Sequence, residues 1–224
     1  MDRKIILDFL KKLKKNNNKE WFNDNKHLYE KAKSEFEELV GSVLAEMVKF
    51  DKDLSYLEPK KCIFRIYRDV RFSHDKTPYK TNFGAWFSKQ GKSGDMAGYY
   101  MHMGPGEYFV AGGLYMPPSD ILKAVRTEIY NFPEDLKKIL DHKEVKKQFG
   151  GLWDEDKLKT APRGFDPEFE DLELIKYKHY LLNRDLTETE LFSKDYPQKV
   201  VSAYKTMHPF ILFLNRGIEE NRDK

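Results

Sequence analysis

Residues 99–114 read Tyr-Tyr-Met-His-Met-Gly-Pro-Gly-Glu-Tyr-Phe-Val-Ala-Gly-Gly-Leu and carry the most regular pattern in the chain. On both sides of the Gly-Pro-Gly turn, apolar residues recur at every second position, and a period of two is typical of β-strands. A turn this short joins antiparallel neighbours. The stretch therefore predicts a β-hairpin, and Gly112-Gly113 in its second arm predicts either a bulge or a close approach of another backbone.

The same period recurs elsewhere in the chain. Residues 83–87 predict a strand before the hairpin, and residues 180–184 are consistent with a further strand after it. The segment Lys61–Arg68 also alternates, and it predicts a strand with Phe64 and Ile66 facing the core. We therefore expect a meander of about four to five strands.

Helical periodicity dominates both ends of the chain. Apolar residues recur at spacings of three and four over residues 1–50, where Asn18 is placed to cap the second helix. Residues 117–219 are mainly helical by the same criterion, and Pro209 is expected to kink or restart the last helix. With the β-rich region from residue 60 to 116, these patterns predict an α+β fold, in which an antiparallel β-meander is flanked by N-terminal and C-terminal helices.

The composition fits one folded domain over residues 1–224. Hydrophobic residues make up 40% and aromatic residues 14% of the chain, which excludes a disordered protein. No internal repeat and no low-complexity linker divides it. The single cysteine, Cys62, excludes an internal disulfide and a zinc site built on several thiolates, and we predict that it is buried in the core.

The sequence predicts no targeting or membrane segment. The apolar run within Met1–Leu7 is too short for a signal peptide, and no run is long enough to span a bilayer. We therefore expect a cytoplasmic protein without a membrane partner. The net charge of +3 also argues against a general nucleic-acid binder.

Positive charge is concentrated in residues 59–80. This segment has seven basic and two acidic residues, a net charge of +5, whereas the whole chain carries only +3. In a strand over Lys61–Arg68, Arg65 points outward and Arg68 faces inward. A buried guanidinium needs an acceptor, and Asp69 is the nearest carboxylate in the sequence.

An anionic ligand such as a phosphate or carboxylate requires arginines, lysines and hydroxyl groups that converge on one point. The first hypothesis is therefore an enzyme or binding protein for a phosphorylated or other anionic small molecule. Asp69 and His74 are the candidates for proton transfer if the protein is an enzyme. Solvated lysines and Arg–Asp pairs that only tie down a loop would produce the same pattern. The candidate ligand-binding residues are Arg65, Arg68, Arg71, Lys76, Tyr79 and Lys80.

Two alternatives stay open. The second hypothesis is a nucleic-acid-binding module, with the basic segment on phosphates and Tyr67, Trp86 or Tyr100 stacking on bases. The third is a non-enzymatic interaction domain in which the Arg–Asp network serves only as a scaffold.

No spacing of His, Asp and Glu indicates a metal site, and no glycine-rich phosphate loop is present, so we predict neither a metal nor a cofactor. The sequence leaves the oligomeric state open.

The run Arg65–Ser73, followed by Lys76–Lys80, resembles the signature of a family of conserved hypothetical proteins known as domain of unknown function 2461. The resemblance implies one shared domain of about this length, and it brings no known activity, ligand or catalytic residue. It extends over nearly the whole chain through matches at Asn17-Asn18, Trp21-Phe22, Gly112-Gly113, Arg126, Pro162–Phe165, Pro209-Phe210 and Leu214-Asn215.

Overall fold

The computed structural model describes residues 1–222, which form ten helices and a four-stranded antiparallel sheet. The predicted α+β fold is confirmed. Asn18 caps the second helix as predicted, because its Oδ1 accepts a hydrogen bond from the Trp21 amide at 2.9 Å. The N-terminal helices are α1 (Arg3–Lys15), α2 (Lys19–Asp24) and α3 (Lys26–Met47).

Helix α1 packs against α3 through the apolar stripes that the sequence predicted. Ile6, Leu10 and Leu13 of α1 are fully buried, and so are Phe36 and Val40 of α3. Each such side chain stabilises the fold by about 1.5–3 kcal/mol relative to an exposed one. The two helices therefore share one apolar core, which reaches Phe83 through Phe36, whose ring stacks on it with the centroids 5.2 Å apart.

The sheet contains the predicted hairpin and two further strands. Tyr99, Met101 and Met103 of the first hairpin arm are fully buried, whereas Tyr100 and His102 on its other face are half-buried. The strands are β1 (Phe83–Phe87), β2 (Gly98–Gly104), β3 (Glu107–Leu114) and β4 (Tyr180–Asp185), in the order β1-β2-β3-β4. Each of the three runs predicted at 83–87, 99–114 and 180–184 is thus confirmed as strand.

The predicted strand over Lys61–Arg68 is wrong. A short helix, α4 (Pro59–Cys62), begins there instead, because proline is favoured in the first turn of a helix. Ile63, which the prediction placed outward, is buried, and Phe64, predicted to face the core, is only half-buried. The segment cannot continue as one strand because it meets different partners at isolated bridges, Ile63 with Ala85 and Tyr67 with Tyr79. Cys62 is buried, as predicted.

The C-terminal helices depart from the prediction in two places. Of the predicted kink or restart at Pro209, the restart is wrong, because the last helix continues through Pro209, and the kink stays a prediction. Phe210 and Leu214 beyond it are fully buried, which offsets the hydrogen bond that proline cannot donate. The short helix before it was missed, although Thr187 and Glu190 form a capping box at its start. These helices are α5 (Ser119–Asn131), α6 (Pro133–Leu140), α7 (Lys143–Phe149), α8 (Leu172–Ile175), α9 (Glu188–Phe192) and α10 (Tyr196–Asn221).

Gly113 in β3 confirms the predicted close approach of another backbone. Its φ angle is +133°, and a Cβ atom at this position would lie 1.8 Å from the carbonyl oxygen of Tyr180 in β4. Glycine is required here because any other residue would collide with that carbonyl group and would adopt a strained φ.

The chain falls into two compact units. Strands β2 and β3 each contribute residues to both units. That residues 1–224 form a single domain stays a prediction. Unit 1 comprises residues 1–87, 100–110 and 185–202, and unit 2 comprises residues 88–99, 111–184 and the chain from 203 onward.

No helix among residues 1–222 combines the length and the apolar character that a membrane span requires.

Candidate functional site

Residues 65–80, called the basic loop from here on, form an irregular segment that is closed by a short two-stranded base. The base brings the two ends of the loop together, so residues 69–77 project from it. Two backbone hydrogen bonds close this base and define the antiparallel bridge between Tyr67 and Tyr79: the Arg68 amide donates to the Pro78 carbonyl at 2.9 Å, and the Lys80 amide donates to the Ile66 carbonyl at 2.7 Å.

Tyr79, a predicted ligand residue, packs at the base of the loop. Its side chain is buried, and its ring stacks on Phe22 with the ring centroids 4.0 Å apart. The side-chain amide of Asn17 also bonds to both backbone groups of Tyr79. These contacts anchor the basic loop to α2 and to the segment that joins α1 and α2.

Arg68 lies inside the basic loop and binds three of its side chains. The guanidinium donates to Asp75 Oδ2 at 2.5 Å, to the Thr77 hydroxyl, and to Ser73 Oγ at 3.4 Å. Hydrogen bonds from the Thr77 amide, from Arg68 and from the Thr77 hydroxyl lower the pKa of Asp75 to about 2. Arg68 therefore joins the first residues of the projecting segment to its last ones.

Arg71 and Asp69 form a second, separate pair. Arg71 Nε donates to Asp69 Oδ1 at 3.0 Å and Arg71 Nη2 donates to Asp69 Oδ2 at 2.6 Å, which is the bidentate geometry of a guanidinium on a carboxylate. The Arg71 side chain holds the pKa of Asp69 below its ordinary value. The expectation that Asp69 would bind Arg68 is wrong, because Asp75 and Thr77 occupy the Arg68 guanidinium.

The remaining cations of the basic loop have different surroundings. Arg65 is exposed, and it donates no hydrogen bond to any residue between 1 and 222. Lys76 Nζ donates to the Val70 carbonyl at 3.0 Å. Lys80 Nζ lies 5.3 Å from the ring centre of Phe64. The six predicted ligand residues thus share one loop, but two of its three arginines are each bound to a different carboxylate.

The two candidates for proton transfer have environments that differ from those of typical catalytic groups. Both carboxylate oxygens of Asp69 accept hydrogen bonds from Arg71, and the lowered pKa makes Asp69 a weaker base. His74 is exposed to solvent. Catalytic acids and bases are commonly tuned by burial, and neither side chain is buried.

Phe72 is the feature of this loop that the sequence analysis missed. The residue is 95% exposed, and the guanidinium carbon of Arg71 lies 5.8 Å from its ring centre. The only signal in the sequence is that Phe72 stands among polar residues, outside any helical or strand period.

Within residues 1–222, no three His, Cys, Asp or Glu side chains lie close enough together to hold a metal ion.

Comparisons with known proteins give a family and no activity. No curated protein and no solved structure shows significant similarity to the chain. The model of a family described as a conserved hypothetical protein, DUF2461, matches residues 5–213, a range that includes the whole basic loop. The resemblance carried by the loop sequence is thereby confirmed, and the chain belongs to the DUF2461 family of conserved hypothetical proteins.

Proposed function

We propose that the protein is a non-enzymatic interaction domain whose basic loop binds an acidic surface of a protein partner. The observation that carries this proposal is the use of Arg68 and Arg71 within the loop. Their guanidinium groups bind the loop carboxylates of Asp75 and Asp69. Both arginines therefore stabilise the shape of the loop, which is the scaffold role that a recognition loop requires.

Phe72 is the anchor that this loop presents. An exposed aromatic ring beside an arginine has the composition of an interface hot spot. Moving a phenylalanine side chain from water into a partner's apolar pocket stabilises a complex by about 1.5–3 kcal/mol. The internal pairs of Arg68 and Arg71 support this use of Phe72, because a loop held in shape before binding loses less conformational entropy in the complex.

The charge of the basic loop defines the chemistry of the partner. The loop has five basic and two acidic residues, a net charge of +3. Since the pairs at Asp69 and Asp75 are neutral, the exposed cations Arg65 and Lys76 carry positive charge beyond these pairs. A surface with carboxylates around an apolar pocket complements both this charge and the Phe72 ring.

The two other functions receive less support from the geometry. An anionic small ligand bound by Arg65, Arg68 and Arg71 together competes with the carboxylates that two of them already bind. A nucleic-acid interface needs stacking surfaces. Tyr67 is 52% exposed but packs against Tyr79 with the ring centroids 5.3 Å apart, whereas Trp86 and Tyr100 are half-buried. Recognition of a protein partner, in contrast, requires no change in the internal ion pairs of the loop.

The test places a photo-crosslinking amino acid at position 72 and, as a control, at Leu212, which is an exposed apolar residue of α10. We expect position 72 to crosslink to a discrete protein through a peptide rich in Asp and Glu, and position 212 to give no such product. Charge reversal by Arg65→Glu and Lys76→Glu should abolish the crosslink, since the partner is acidic and both side chains are exposed cations of the loop.

Each alternative has its own outcome in this test. Crosslinking of position 72 to nucleic acid supports the second hypothesis. A panel of anions in thermal unfolding tests the first one: Arg65→Ala and Arg71→Ala would both lose a stabilisation by phosphate or nucleotides that the parent protein has. Identical products from positions 72 and 212 contradict the interaction function.

A further inference from the structure

Arg126 on α5 is a buried cation for which residues 1–222 supply no counter-ion. The residue is only 8% exposed. Its Nη2 donates to the Tyr177 carbonyl at 2.8 Å, whereas Nε is buried and has no acceptor in this part of the chain. No carboxylate of the described residues forms an ion pair with it.

Burying this charge without a counter-ion is costly, because a guanidinium does not lose its proton in proteins. The same helix shows how the chain pairs another buried charge. Glu128, which is 1% exposed, accepts hydrogen bonds from Arg216 Nε at 2.5 Å and from Asn221 Nδ2 at 3.1 Å. Among the described residues, Arg126 has no charged partner of this kind. A buried cation without a counter-ion is the arrangement expected of a residue that binds an anionic ligand.

Groups suited to an anion surround Arg126. Burial raises the pKa of Tyr180, and both the charge of Arg126 and a hydrogen bond from its guanidinium to the Tyr180 hydroxyl oppose that rise. That hydroxyl donates to the Leu174 carbonyl at 3.0 Å. Lys157 pairs with Tyr177 in an isolated antiparallel bridge, and its Nζ lies 4.2 Å from the centre of the Tyr177 ring, but this ammonium group already forms an ion pair with Asp154 at 2.7 Å. Arg126 and two tyrosines are therefore grouped beside the start of β4, and Arg126 is the cation of this group that lacks a counter-ion within residues 1–222.

We propose that Arg126 anchors a binding site for a small oxyanion, either a carboxylate or a phosphate. The donors of Arg126 that Tyr177 and Tyr180 do not use bind the oxyanion in a fork geometry, and the Arg126 guanidinium supplies the positive charge. All of these residues belong to unit 2, and none belongs to the basic loop. The site is therefore independent of the proposed interaction function.

The test is thermal unfolding of the full chain in inorganic phosphate, in acetate and in chloride at matched ionic strength. At roughly ten times its dissociation constant, the bound oxyanion raises Tm by about 3–6 °C above chloride. Arg126→Met removes the charge and keeps an unbranched stem, so it abolishes this increase and leaves Tm in chloride unchanged or higher. Arg71→Met is the matched control from the basic loop, and it keeps the full increase.

The proposal is overturned if neither oxyanion stabilises the parent, or if Arg126→Met keeps the increase. A lower Tm of Arg126→Met in chloride, with no response of the parent to either oxyanion, marks Arg126 as a structural residue that is hydrated or bound only to Tyr177 and Tyr180. If Arg126→Met does not fold, the NMR ¹H–¹⁵N signal of Arg126 Nε in the parent tests the proposal instead. This signal is assigned as the one that is absent from the spectrum of Arg126→Lys. The signal should shift saturably with phosphate or acetate and not with chloride, and a signal that ignores both oxyanions also overturns the proposal.

Discussion

Asn17 and Tyr79 are joined by two reciprocal hydrogen bonds between a side-chain amide and the backbone of one residue. Asn17 Nδ2 donates to the Tyr79 carbonyl at 2.9 Å, and the Tyr79 amide donates to Asn17 Oδ1 at 3.1 Å. The asparagine thus satisfies both backbone groups of Tyr79, as a neighbouring strand would. Asn215 does the same for Ala97 in unit 2, where the two distances are 2.8 Å and 3.4 Å.

Asn17→Ala leaves both backbone groups of Tyr79 without their partners. We expect the free energy of unfolding, measured in urea, to fall by about 1–3 kcal/mol, because a partly buried donor and acceptor lose their hydrogen bonds. Asn16→Ala is the matched control, since Asn16 is exposed and its amide bonds to the exposed Lys12 carbonyl. It should change the stability by less than about 0.5 kcal/mol. Equal losses in the two variants would contradict the role given to the Asn17–Tyr79 pair.

The fold was predictable where local pattern and tertiary packing agree. The hairpin of residues 99–114 combines a period of two with a tight turn, and Asn18 precedes a helix whose first turn it caps. The segment 61–68 has the same period of two, but its backbone partners are divided between Ala85 and Tyr79. Sequence periodicity cannot reveal such a division, because it depends on how distant segments meet.

The basic loop shows the same limit for a candidate site. Its residue types and its net charge follow from the sequence, but the pairing of its charges does not. Asp69 and Asp75 are both within reach of several arginines, and only the path of the backbone assigns Asp75 to Arg68 and Asp69 to Arg71. The unpaired charge of Arg126 is hidden for the same reason, since its burial depends on segments distant in sequence, such as the one that carries Tyr177.

Gly113→Ala tests the close approach of β3 to β4. The new methyl group would overlap the Tyr180 carbonyl oxygen, so we expect a loss of at least about 3 kcal/mol in the free energy of unfolding, or failure to fold. Gly106→Ala is the control with a positive φ of +86° and no atom within 4 Å of the added Cβ. Its expected loss is about 1 kcal/mol, from backbone strain alone. Similar losses at both positions would show that the contact with Tyr180 relaxes easily.

Arg216→Met tests the ion pair of the buried carboxylate of Glu128. Removing Arg216 leaves Glu128 with Asn221 as its hydrogen-bond partner, and we expect a loss of about 3 kcal/mol, at the lower end for a broken buried pair because Arg216 is partly exposed. Adding Glu128→Leu should restore most of the lost stability, since no unpaired charge then remains buried.

The control for this experiment is Arg222→Met. Arg222 pairs with Asp95 and Asp120, which are both more accessible to solvent than Glu128. Ion pairs of this kind contribute about 0–1 kcal/mol, so the variant should stay close to the parent in urea unfolding. Failure of Glu128→Leu to rescue Arg216→Met would mean that Arg216 stabilises the protein mainly through its pairing with Asp135 or through its contacts with aromatic rings.

His102 on β2 should make the stability depend on pH. Burial lowers the pKa of His102 below its ordinary value of 6.5, and Glu107, 3.6 Å from Nε2, opposes this shift only in part. The folded protein therefore binds this proton less readily than the unfolded chain does. As the pH falls through 6.5, the unfolded state gains the proton first, and the free energy of unfolding decreases.

The decrease due to one proton is at most about 1.4 kcal/mol per pH unit, and it ends once the pH is below the folded-state pKa, where both states are protonated. We therefore expect the free energy of unfolding to fall less between about pH 7.5 and 5.5 in His102→Gln than in the parent, because glutamine does not titrate in that window. His74→Gln is the matched control, since His74 is exposed in the basic loop, and it should keep the pH dependence of the parent. Urea unfolding at several pH values measures all three proteins. If His102→Gln and the parent lose the same stability over this range, the half-buried imidazole is not the group that destabilises the folded state on acidification.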